Sequence, residues 1–92
     1  MNVNFKPCFT YNFKTGNIEY NLGRGVYRIV RYEKSCDSIY YWYKDKGCKW
    51  YLRDWELSDL ARTAKWLIEQ HGCDFGEEIN ALAYSPYTKE AV

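Results

Sequence analysis

The sequence predicts an α+β fold in which one main α-helix packs on an antiparallel sheet of four or five strands. Three observations carry this reading. Ninety-two residues suffice for one hydrophobic core and not two, so residues 1–92 read as a single domain. Up to Arg53 the chain alternates aromatic or β-branched residues with polar ones, between short breaks bearing Gly or Asn. Beyond Asp54 the apolar residues fall instead at three- and four-residue intervals, the period of a helix.

The elements follow in order. Phe5–Phe13 reads as a first strand, and Lys14-Thr15-Gly16-Asn17 supplies the residues a hairpin turn needs. Ile18–Leu22 returns as a second strand, with Ile18, Tyr20 and Leu22 on one side. Gly23-Arg24-Gly25 breaks the chain before a third strand, Val26–Tyr32. A loop over 33–38 leads to Ile39–Lys44, Asp45-Lys46-Gly47 is a tight turn, and Cys48–Arg53 closes the meander. Connections this short pair neighbours antiparallel, because a parallel pair needs a long crossover.

Ser58 or Asp54 caps the helix, with Glu56 and Asp59 near the positive end of its dipole. Leu57, Leu60, Ala61, Ala64, Leu67, Ile68 and His71 form its apolar stripe, and Gly72 ends it. Gly76–Tyr84 reads either as a short second helix, with Ile79, Leu82 and Ala83 inward and Pro86 as its stop, or as a final strand.

A sheet covered on one face leaves the other wet. Alternation along the last strand then assigns Cys48, Trp50 and Leu52 to the core, and Lys49, Tyr51 and Arg53 to a basic, aromatic row facing solvent. In Ile39–Tyr43, alternation separates Ile39, Tyr41 and Tyr43 from Tyr40 and Trp42 without saying which set is inside.

The 18 aromatic residues, 10 of them Tyr and 4 Trp, exceed what so small a core encloses, so some belong to a surface. The net charge of +1 hides an asymmetry. Residues 1–53 carry ten Lys and Arg against four Asp and Glu, whereas residues 54–92 carry three against eight. Opposite potentials on different faces follow, and a domain held to nucleic acid by overall charge is disfavoured.

Catalytic signatures fail one by one. The single histidine, His71, reads as a capping or stripe-edge residue, and no third group orients it toward Cys73. Gly23-Arg24-Gly25 lacks the further glycines and following helix of a phosphate loop. Cys8, Cys36, Cys48 and Cys73 lack the short-spaced pairs of a zinc site, and read as free, mostly buried thiols. The expectation is therefore no enzyme, no metal and no cofactor. The longest apolar run, Ile39–Tyr43, is far short of the roughly 20 residues of a membrane span. The first residues lack the pattern of a secretory leader, so a soluble, cytoplasmic domain is expected.

Two binding classes remain. Arg28, Arg31, Lys49, Tyr51 and Arg53 on the sheet have the types that stack unpaired bases and neutralise phosphates, so a single-stranded nucleic-acid binder is one reading. A protein partner explains the same residues with fewer demands, since Tyr, Trp and Arg dominate interface energetics. In that reading Asp54, Glu56, Asp59 and Glu69 would meet a basic groove, and a homodimer through a free strand edge is the simplest competitor.

In its one-domain length, its aromatic meander Val26–Arg53, its single helix Ser58–His71 and its lack of a catalytic motif, the chain resembles the small accessory proteins of bacterial viruses, among them the anti-CRISPR inhibitors. These proteins share no motif, so no family residue is carried over. The resemblance implies a protein in the cytoplasm of a bacterial host. There it would occlude a protein or ribonucleoprotein complex that processes nucleic acid, touching that complex's bound RNA or DNA.

Overall fold

A computed structural model describes residues 8–44 and 47–85. The architecture is α+β, but the strands form two antiparallel three-stranded sheets instead of one sheet of four or five. The first sheet holds β1 (Phe9–Asn12), β2 (Asn17–Gly23) and β3 (Val26–Ile29) in that order. The second holds β4 (Arg31–Glu33), β5 (Ser38–Lys44) and β6 (Cys48–Tyr51). Two helices follow, α1 (Asp54–His71) and α2 (Glu77–Ala83).

The expected single strand over 26–32 is where the sheets divide. β3 pairs with β2, and β4 pairs with β5. Between them Val30 turns into the core, its N–H still donating to the Ile18 carbonyl at 3.1 Å. One strand changes partner at a bend, which lets two twisted sheets wrap a common interior. Ahead of it, Gly23, Arg24 and Gly25 all have positive φ (91°, 56° and 79°), a turn that a residue with a Cβ enters only under strain.

Other boundaries move less. A 3₁₀ turn, Lys34–Cys36, occupies the expected loop, and β6 ends at Tyr51 rather than Arg53. Phe5 to Pro7, the turn residues Asp45 and Lys46, and Pro86 lie outside the described residues; Gly47 N–H closes that turn on the Lys44 carbonyl at 3.0 Å.

The core joins Phe9 and Ile18 of the first sheet, Val30, and Ile39, Tyr41 and Leu52 on the side of the second sheet. Leu60, Ala64 and Leu67 of α1 and Ile79 and Ala83 of α2 complete it. Of the two sets in β5, therefore, Ile39 and Tyr41 are inside. Cys48 and Trp50 share their side of the sheet but escape burial, and Trp50 keeps 36% of its surface exposed. Leu52 alone of the expected trio is core, because only the second sheet's end near α1 is covered.

Helix α1 starts at Asp54, with Arg53 as its N-cap, so Ser58 lies inside it. The expected stripe packs inward: Leu60, Ala61, Ala64 and Leu67 are buried and Leu57 and Ile68 half-buried, while His71 is exposed. Gly72 ends the helix at φ 67°, donating to the Ile68 carbonyl, and Cys73 N–H reaches back to Leu67. Residues 77–83 are helical, not a strand. Asp74 braces the approach by accepting from Gly76 N–H at 3.0 Å and Asn80 Nδ2 at 2.7 Å. Among the described residues no helix is long and apolar enough to cross a membrane.

A candidate binding face on the second sheet

Residues paired directly across antiparallel strands share a face. Arg31 pairs with Tyr40, Tyr40 with Tyr51, Trp42 with Lys49, and Glu33 with Ser38. The face of the second sheet turned away from the core is thus built from Arg31, Glu33, Tyr40, Trp42, Lys49 and Tyr51.

These side chains hold one another. Lys49 Nζ lies 4.8 Å from the centroid of the Tyr40 ring and 5.4 Å from that of Trp42. Tyr40 meets Trp42 edge-on at 6.0 Å and Tyr51 at 5.8 Å. Glu33 sits among them: its Oε1 accepts from Lys49 Nζ and from Tyr51 OH, both at 2.8 Å, and its Oε2 from Ser35 at 2.9 Å. The bonds from Lys49, Tyr51 and Ser35 hold the Glu33 carboxyl down at about 2, and the same contact pushes the Tyr51 hydroxyl up to about 12. Cation–π contact and an ion pair together fix three rings at a surface, where single side chains would otherwise sample several rotamers.

The expected basic row is only partly assembled. Arg31, Lys49 and Tyr51 come together as expected. Arg28 does not join them, because it stands on the other sheet, paired with Tyr20 on the core side, with its Nε buried and unbonded. Arg53 also leaves the row. Beyond the end of β6 alternation no longer governs it, and its guanidinium lies 5.6 Å from the Trp50 ring.

The acidic candidates are scattered along α1. Glu56 is 1% exposed and is withdrawn from any partner. Its carboxylate accepts from Tyr20 OH at 2.7 Å, Arg53 N–H at 2.9 Å and Trp50 Nε1 at 3.4 Å, so it clamps both sheets to the start of the helix. Asp59 pairs with Arg62 and accepts from the Cys8 thiol, and Glu69 accepts from Tyr84. Asp54 opens the helix, exposed. The helix covers the inner side of the sheets, so its outer side and the aromatic face point in different directions. A single flat partner does not touch both.

Tyr40, Trp42 and Glu33 were missed as site residues by sequence reasoning. Alternation grouped the first two but gave no face, and nothing local marks Glu33 as the partner of residues 16 and 18 positions away.

A groove of about 710 Å³ lies elsewhere, between the Tyr32–Ile39 side of the second sheet and the helices, with Leu52, Leu57 and Leu82 on its floor and Asp37, Glu77 and Glu78 at its rim. Asp37 accepts from Tyr32 OH at 2.6 Å. Among the described residues no three His, Cys, Asp or Glu side chains converge as metal ligands. Nor are the cysteines mostly buried as expected. Cys36, in the 3₁₀ turn, and Cys48, at the start of β6, are exposed, while Cys8 and Cys73 are half-buried.

No protein-family model, curated protein or solved structure matches the chain.

Proposed function

We propose that the chain is a non-catalytic binding protein whose docking surface is the outer face of the second sheet. In its most concrete form it is a phage-type inhibitor of the anti-CRISPR kind, which occludes a nucleic-acid-processing complex in the cytoplasm of a bacterial host. The binding part of this reading is supported by the face itself, and the kind of host complex by the resemblance in size and style.

The observation that carries it is the Glu33 carboxylate bonded to Tyr51 and to Lys49, with Lys49 in turn set over the Tyr40 and Trp42 rings. An aromatic face with its polar groups already ordered loses little side-chain entropy on docking. The same carboxylate neutralises Lys49, which leaves Arg31 as the net charge of the patch. A protein surface suits such a patch better than a phosphate backbone, whose binders carry several unpaired cations. A second reading, a binder of single-stranded nucleic acid, draws on the adjacent Tyr40, Trp42 and Tyr51 rings as a stacking platform.

Affinity capture from a bacterial lysate, with and without nuclease, separates them. The expected result is a nucleic-acid-processing complex that survives nuclease and is lost with the double variant Arg31→Glu, Trp42→Ala. Nucleic acid alone, lost on digestion and steeply sensitive to salt, would favour the second reading. Capture untouched by the double variant would remove this face from the function.

A further inference from the structure

The outer side of α1 carries a feature that the sheet face does not explain. Trp55 is 57% exposed and Trp66 58%, both on the line opposite the buried Leu60, Ala64 and Leu67. A helix packed on a core normally keeps that line polar. Between the two lie Asp59 and Arg62, joined as an ion pair. The spacing of Trp55, Asp59, Arg62 and Trp66 is four, three and four, the rhythm of a coiled-coil seam.

The seam is its own complement. Read in reverse, aromatic–acid–base–aromatic becomes aromatic–base–acid–aromatic. Two copies laid antiparallel, with the twofold axis between residues 60 and 61, set Trp55 against the partner's Trp66 and Asp59 against the partner's Arg62. Each pair then occurs twice, which is the defining property of an isologous contact. The tryptophans stand about 16 Å apart along the helix, so four layers fit within its length. Near the far end Trp66 meets His71 edge-on at 5.1 Å, and Phe13, 74% exposed, meets His71 at 5.9 Å, which widens the apolar patch.

We infer that the chain forms a twofold dimer through this line of α1, the Asp59–Arg62 pair being exchanged between copies and each Trp55 packing on the partner's Trp66. Charge complementarity selects a second copy as the occupant, since the order of charges fits its own reverse. Trp side chains bury up to about 250 Å² each, so four of them, somewhat over half exposed, contribute roughly 500 Å². A specific interface starts at about 1,200 Å², so a modest, concentration-dependent dimer is expected. It would leave the outer face of the second sheet open. The inference is independent of the function proposed for that face.

The test is sedimentation velocity between about 5 and 500 µM, with circular dichroism to verify folding. Wild type is expected to dimerise within that range. Asp59→Arg and Arg62→Asp each place like charges opposite one another twice, and should weaken dimerisation at least tenfold. An equimolar mixture of the two variants restores both pairs and should form the heterodimer. Trp55→Glu, at an exposed position outside the core, provides a second disruptive variant should a charge swap unfold the chain. A wild type that stays monomeric, a dimer that survives Trp55→Glu, or folded charge variants that fail to rescue one another in the mixture would each overturn the proposal. The first of these, with capture of a different protein lost in Trp55→Glu, would assign the line to that partner.

Discussion

Replacing Glu56 by alanine tests whether one buried carboxylate ties the sheets to α1. The substitution removes the acceptor for Tyr20 OH (2.7 Å), Arg53 N–H (2.9 Å) and Trp50 Nε1 (3.4 Å). The Tyr20 hydroxyl loses most, because its ring is packed between Phe9 at 5.1 Å and Tyr41 at 4.3 Å; leaving such a donor unpaired costs about 1–3 kcal/mol. Burial, and then the bond to Glu56, already push that hydroxyl well above the usual phenol range. Loss of the carboxylate from the helix start adds about 1 kcal/mol, as for other N-terminal caps. Trp50, at the rim, turns to water at little cost. The expected destabilisation is about 3 kcal/mol, against the roughly 5–14 kcal/mol that holds a domain of this length.

At about 4–8 °C per kcal/mol, Tm should fall by roughly 12–24 °C. Glu56→Gln keeps the shape and one acceptor and should cost only about 1 kcal/mol. Urea titrations of Tyr20→Phe, Glu56→Ala and the double variant measure the shared bond directly, with a coupling of about 1 kcal/mol or more expected. If Glu56→Ala melts within a degree or two of wild type, or the two changes are additive, Glu56 is not the clamp described above.

Three further outcomes are expected. The Glu33 carboxyl, held at about 2 against an ordinary 4.5, contributes stability that is complete above pH 4.5 and is lost as pH falls toward 2; Glu33→Gln should flatten this acid limb of a Tm-against-pH curve, and an unchanged limb would contradict the assignment. A thiol reagent at pH 8 should label Cys36 and Cys48 first and Cys8 last, because burial and the bond to Asp59 push the Cys8 thiol up to about 11; rapid modification of Cys8, read by peptide mass, would refute this. Gly72→Ala, at φ 67°, should lower stability by about 1 kcal/mol through strain at the helix stop, whereas an unaltered melting curve would show that the stop is made elsewhere.

Much of the secondary structure was legible because its causes are local. The period of Leu57 through Ile68 and the glycine at 72 determine α1 and its end, and alternation determines that Lys49 and Tyr51 share a face. Of the two expected caps, Asp54 lies one residue past the true N-cap, Arg53, and Ser58 a full turn inside, because the carboxylate that holds the Arg53 N–H is Glu56, which a sequence reading assigns to the dipole and to the surface. The split into two sheets was not legible either. Nothing in Val26–Tyr32 distinguishes one strand from two, since the change of partner at Val30 depends on β2 and β5, which lie on either side of it in the sequence.

The site divides the same way. Composition alone requires aromatics at a surface, because so short a chain lacks the volume to enclose 18 of them. Which ones emerge was decided by tertiary structure. Trp50 remains at a rim with only its Nε1 edge drawn to Glu56, Glu56 vanishes inside because two sheets bring donors to it, and Glu33 organises the outer face from 16 residues away. Sequence patterns fix what each residue does relative to its neighbours in the chain. The meeting of Glu33 with Lys49, and of Tyr20 with Glu56, is fixed by how the sheets and the helix close on one core, which a local pattern does not encode.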